Sequence, residues 1–218
     1  ANALGAAVNV LDLQDSTGIK SVNITRVAQS NGDVSIDNLT AVTDDLSLNN
    51  TSVNTNSDEF SFVAGAVSGA QDVTKITLNN ANTRNLVIEQ NTTAGNAFTG
   101  AANNLGVPTE GFETLNMVSS GSANTVGQLW AEDLQTLNIS GDKNLTIGAT
   151  GATTNAVTTV VEATRYNDGF GHVNGSLSAV NAAELTGNLD VTFGGELDAI
   201  KDNTSGVNMA VTVTGGKG

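Results

Sequence analysis

Between Gly111 and Ile147 one short alternation of apolar and polar residues is written three times. Phe112, Leu115 and Met117 carry the first copy, Leu134, Leu137 and Ile139 the second, and Leu145 and Ile147 the third, and each copy breaks at Gly, Ser, Asn or Asp. A period of two marks a strand with one buried face, and a strand rewritten at close intervals has to bury that face against its own copies. Such a chain builds its β structure coil by coil.

The same alternation runs through the rest of the sequence. It predicts strands at Val8 to Leu13, Ser21 to Val27, Val34 to Leu39, Leu46 to Leu48, Phe60 to Val63, Thr74 to Leu78 and Leu86 to Ile88. It predicts others at Val157 to Val161, Leu177 to Val180, Leu189 to Phe193 and Val207 to Val213. Neighbouring starts lie roughly ten to twelve residues apart, so two strands make a period of about twenty or a little more, within the range of solenoid repeats. Only 4% of the residues are aromatic, which leaves Val, Leu, Ile and Ala to fill the core. Small branched side chains stacked in rows suit a narrow solenoid interior. Pro108 is the single proline, so the corners are left to Gly, Asn and Asp, which tolerate left-handed backbone.

The fold expected is therefore all-β, a right-handed parallel β-helix (β-solenoid) running as one module over residues 1–218. The competing reading is an antiparallel β-sandwich, which also uses many short strands. Long polar connections such as Asn49 to Glu59 and Asn79 to Arg84 favour the solenoid over two-residue hairpins. Residues 91–108 are too small and polar for a core strand and read as a surface excursion with a helical turn near Thr99 to Leu105. Thr125 to Asp133, which holds the only Trp, reads as a short helix lying against the solenoid.

The run from Gly111 to Ile147 resembles a pattern of the large calcium-dependent surface-layer proteins of Gram-negative bacteria, the Caulobacter type, in Gly111-Phe112-Glu113-Thr114-Leu115-Asn116 and Leu134-Gln135-Thr136-Leu137-Asn138-Ile139-Ser140-Gly141-Asp142. At the other end, Val211-Thr212-Val213-Thr214-Gly215-Gly216-Lys217-Gly218 is similar to the strand and opening Gly-Gly-x-Gly of an RTX calcium nonapeptide, stopping before the Asp that completes it. The two segments cover about a fifth of the chain. The resemblance implies a secreted protein of the bacterial cell surface, calcium as cofactor, self-association with identical subunits, cell-surface polysaccharide as a further partner, and a longer natural chain continuing into calcium repeats.

Charge and residue chemistry bound the function further. Acidic side chains number 22 against 8 basic ones, a formal charge of −14, which repels a nucleic-acid backbone and attracts divalent cations. There is no cysteine, so no disulfide, thiolate metal site or thiol nucleophile. No stretch of the sequence approaches a membrane span.

Calcium takes hard oxygen ligands, and a corner that already aims carbonyls at one point needs only one or two carboxylates to complete a site. The candidate ligands are Asp142, Asp44, Asp45, Glu132, Asp133, Asp33 and Asp168, with Asp37, Asp58 and Glu59 in neighbouring clusters. Asp142 is the one that maps onto the surface-layer pattern. For each cluster the competing reading is an acidic turn cap without metal. Parallel β-helices also host polysaccharide-cleaving enzymes, and Arg165, Tyr166, Asp168 and His172 form the one local concentration of potentially catalytic groups. A Gly-rich turn with one aromatic and one His reads better as a solvated loop, and aromatic platforms for sugar rings are few. The Asn-x-Ser/Thr triplets are read as structural, with Asn116 and Asn138 stacked as an amide ladder. The function expected is a non-enzymatic structural module of a surface array; the alternative is a binding or carbohydrate-active module of an RTX-type adhesin or exoenzyme.

Overall fold

The computed structural model describes residues 8–26, 32–50, 56–63, 65–91, 111–131, 134–148, 161–162, 177–191 and 212–217. The strands are β1 (Val8–Asp12), β2 (Ser21–Thr25), β3 (Asp33–Leu39), β4 (Asp45–Asn49), β5 (Ser57–Val63), β6 (Val73–Asn79), β7 (Asn82–Asn91) and β8 (Thr114–Ser120). They continue with β9 (Asn124–Ala131), β10 (Thr136–Gly141), β11 (Leu145–Ile147), β12 (Val161–Glu162), β13 (Ala179–Leu185), β14 (Leu189–Val191) and β15 (Thr212–Thr214). There is no helix among the described residues.

Alternate strands of the chain go to alternate sheets. One sheet, here sheet A, runs β1-β3-β5-β7-β9-β11-β14, with β12 also paired to β9; sheet B runs β15-β13-β10-β8-β6-β4-β2. Every pairing is parallel, which excludes the antiparallel sandwich and gives the parallel β-helix, two strands to a coil. Coil length varies: side chains in adjacent coils that bond to one another are 22 residues apart at Asn116 and Asn138, 24 at Ser35 and Glu59, and 30 at Asn49 and Asn79.

The core is a set of columns formed by like residues in register. Leu46, Ile76, Met117 and Ile139 stand above one another in β4, β6, β8 and β10, and Leu115 stands on Leu137, as their alternation predicts. All six of these side chains are buried. Burying each aliphatic side chain is worth about 1.5–3 kcal/mol, so the columns dominate the stability of every coil-to-coil step. Across the interior, Ile36, Phe60 and Ile88 form the matching column of sheet A. Phe62 meets Phe112 edge to face, with centroids 4.9 Å apart and planes at 77°.

One corner shows how stacked amides and a glycine fix the turn. Asn50 and Asn80 both adopt left-handed backbone, at φ 53 and 56, and the Asn80 amide donates to Asn50 Oδ1 at 3.0 Å. The next coil places Gly121 at φ 73 in the same corner, because a Cβ there would lie 2.1 Å from Asn79 Oδ1.

Two expectations are corrected. The helix read over Thr125 to Asp133 is strand β9 through Ala131, while Glu132 and Asp133 lie outside the described residues. In β9 the buried residues change parity between Val126 and Leu129, and the matched strand β7 buries a continuous run from Asn85 to Ile88. That spacing of three mimics a helical turn in sequence while serving a bent strand. The connection read from Asn79 to Arg84 shrinks to Asn80 and Ala81, since β7 begins at Asn82. The excursion at 91–108, with its turn at Thr99 to Leu105, lies outside the described residues beyond Asn91, the last residue of β7.

Candidate functional site

The two sheets divide the chain's charge unequally. Strands of sheet A carry Asp12, Asp33, Asp37, Asp58, Glu59, Glu89, Glu162 and Asp190 against Arg84, and half of these acids gather on β3 and β5. Ile36, Phe60 and Phe62 point inward, so Ser35 and Asp37 on β3 and Glu59 and Ser61 on β5 lie on the opposite face. All four are buried there too, leaving this part of sheet A out of solvent on both faces.

The Ser35 hydroxyl sits between two carboxyls. Its oxygen contacts Asp37 Oδ1 at short range and Glu59 Oε2 at 3.0 Å, and Ser61 Oγ donates to Asp37 Oδ1 at 3.3 Å. A hydroxyl has one proton, and an ionised carboxylate can only accept. Both contacts are hydrogen bonds only if one carboxyl is protonated and donates back to Ser35 Oγ. Burial lifts the Asp37 carboxyl above the usual range, against the bonds from Ser35 and Ser61, and the Asp12 charge adds to the lift. Asp12 in the preceding coil moves the other way, lowered by a hydrogen bond from the Asn38 amide at 2.8 Å.

A second charged group faces inward. Asp58 shares the inward side of β5 with Phe60 and stands in register with Val34 and Leu86 in an otherwise apolar column. Arg26, just past β2, donates to Asp58 Oδ1 at 2.6 Å and to the Gly32 carbonyl at 2.6 Å, with side-chain exposures of 5% and 1% for the ion pair. Burial still outweighs the Arg26 charge and holds Asp58 above the usual carboxylate range. Beside it Asp33 accepts from the Ser57 backbone amide at 2.8 Å and faces Arg84 at 3.6 Å. Burial raises Asp33 as well, against those two partners.

The candidate calcium ligands are spread across the fold. Asp142 is exposed at the corner after β10 and paired with Lys143 at 2.7 Å, whose hydrogen bond holds its carboxyl below the usual range. Asp44 is exposed at the entry to β4, and Asp45, on β4, faces Lys75 at 3.4 Å and accepts from Thr77 Oγ1 at 3.2 Å. Asp33 is buried among the Arg26, Asp58 and Arg84 charges. Glu132, Asp133 and Asp168 lie outside the described residues, as do Arg165, Tyr166 and His172. Among the described residues no three His, Cys, Asp or Glu side chains come together around one point, and Asp142, Asp45 and Asp33 each already face a cation.

Sheet B presents a different surface. Its strands alternate buried and half-exposed side chains, and the outward ones are mainly Ser, Thr and Asn. Asn138 Nδ2 donates to Asn116 Oδ1 at 2.9 Å, the ladder expected from their shared Thr-Leu-Asn setting. A parallel ladder runs from Asn79 to Asn49 at 2.9 Å and on to Asn23. Comparison with protein-family models, curated proteins and solved structures finds no match.

The Ser35/Asp37/Glu59/Ser61 group was not picked out from the sequence as a unit. Its trace is there in Ser35-Ile36-Asp37 and Glu59-Phe60-Ser61, two polar-apolar-polar triplets set 24 residues apart. Period-two reading assigns such polar positions to solvent, so burial on both faces stays hidden.

Proposed function

We propose that this chain is a structural module of a secreted, calcium-dependent surface layer or surface array, acting by contact between copies. The observation that carries this reading is the Asn116–Asn138 ladder in exact register on β8 and β10, the segment whose residues resemble surface-layer proteins. A parallel solenoid repeats its surface at each coil, and a repeating surface favours repeated contacts over one concave site. Calcium enters this reading as the ion that offsets the −14 charge when copies approach, with Asp44 and Asp142 on exposed corners, Asp45 at the start of β4, and Glu132, Asp133 and Asp168 as further carboxylates. No helix among the described residues is long and apolar enough to cross a membrane.

Size-exclusion chromatography with light scattering, in excess calcium and then in chelator, tests the proposal. A mass that grows with concentration in calcium and falls in chelator supports it. A constant monomer mass in both, with turnover of a polysaccharide that is lost in His172→Ala or Arg165→Ala, overturns it in favour of an enzyme.

A further inference from the structure

We infer that the outer face of sheet B is the surface through which one copy of this chain meets another. The inference rests on the assembly reading above and assigns the contact to one face.

The charged residues on the strands of sheet B are Asp45, Lys75 and Glu184. Lys75 faces Asp45 at 3.4 Å, and Lys217, just past β15, faces Glu184 at 3.7 Å. The face is thus electrically balanced in a chain of charge −14. Two copies repel each other wherever acidic surfaces meet, since like charges brought together without compensation oppose association. Sheet B is where that repulsion vanishes.

Shape points the same way. Ser47, Thr77, Thr114 and Thr136 are short outward side chains on strands in continuous parallel register, so apart from Lys75 and Glu184 the described strands present mostly short side chains. The Asn116–Asn138 and Asn49–Asn79 amides are already bonded to each other, so docking immobilises little that was free. A small ligand or single sugar chain is held in a cleft, usually against aromatic rings, and the strands of sheet B carry no aromatic residue. A second flat, neutral, hydroxyl- and amide-rich face fits better.

Seven strands at ~4.8 Å spacing and five residues at ~3.3 Å rise give a face of roughly 500 Å². Two such faces bury roughly 1,000 Å² in total, below the range of stable pairwise complexes. The pair contact is therefore weak, and it gains strength from repetition in an array.

Sedimentation velocity on the whole chain across a concentration series in millimolar calcium tests this. The double variant Ser47→Glu/Thr136→Glu places two like charges on the face, and Ser122→Glu places a single one on an exposed corner outside its strands. Circular dichroism confirms that each variant keeps its fold. The wild type and Ser122→Glu are expected to show the same concentration-dependent rise in sedimentation coefficient, with at least a tenfold weaker association in the double variant. Equal association in all three overturns the face assignment and leaves the assembly reading standing. A wild type that stays monomeric throughout overturns both, and if it also pellets with insoluble chitin or cellulose while the double variant does not, sheet B is a glycan-binding face.

Discussion

Arg26 is the residue whose loss should do the most for its size. Arg26→Ala leaves Asp58 in the apolar column of Val34 and Leu86 with Asp33 nearby and its strongest counter-charge gone. Removing one partner of a buried ion pair costs about 3–5 kcal/mol, against a total stability for a domain of about 5–15 kcal/mol. The pair here is 2.6 Å long and almost fully buried, which places it in that class. Far-UV circular dichroism through urea unfolding, at neutral pH and in mild acid, measures the loss. The sign with pH follows from Asp58: its folded-state pKa is already raised above 3.8, and removing Arg26 raises it further. Such a group destabilises the fold above its folded pKa and ceases to do so as pH falls through that value toward the unfolded one. The variant should therefore regain stability on acidification relative to the wild type. Arg26→Met with Asp58→Leu together removes both charges and should return to within about 1 kcal/mol of the wild type. A loss under about 1 kcal/mol in Arg26→Ala, or one independent of pH, would refute the idea of an uncompensated buried charge.

Asp37→Asn removes a carboxyl held above its usual pKa beside Glu59 and Asp12, so the variant should gain stability at neutral pH and lose the advantage in acid, read by the same unfolding curves at the two conditions. Gly121→Ala forces a Cβ to within 2.1 Å of Asn79 Oδ1 at positive φ and should cost about 1–3 kcal/mol, with faster amide exchange in β6 and β8 and little change in β13. Asn138→Leu breaks the ladder to Asn116 at a half-exposed position and should cost about 0.5–1.5 kcal/mol in thermal or urea unfolding.

Alternation made most of the fold legible. Leu46 to Leu48, Thr74 to Leu78 and Leu145 to Ile147 all show one apolar face and each lies in a strand, and the segment predicted from Ser21 is a strand through Thr25. Where a strand bends, the alternation slips, and β9 was readable as a helix because Val126 and Leu129 are three apart. The acidic residues were harder. A corner carboxylate such as Asp142 and a buried one such as Asp58 look alike in sequence, and only pairing across coils tells them apart. Arg26 lies 32 residues from the acid it neutralises, a separation set by coil length that no local pattern encodes.

The variable coil length has a mechanical consequence. Hydrogen bonds between coils run along the solenoid axis, and each coil touches only its neighbours. A pull along that axis loads one coil-to-coil seam at a time, so the chain should peel like thread from a spool and not snap as a block. Each released coil then yields its own length of slack, such as 22 residues at the Asn116 and Asn138 step and 43 at the Ala81 and Asn124 step. A force-extension trace would show unequal spacings whose order follows the order of the coils.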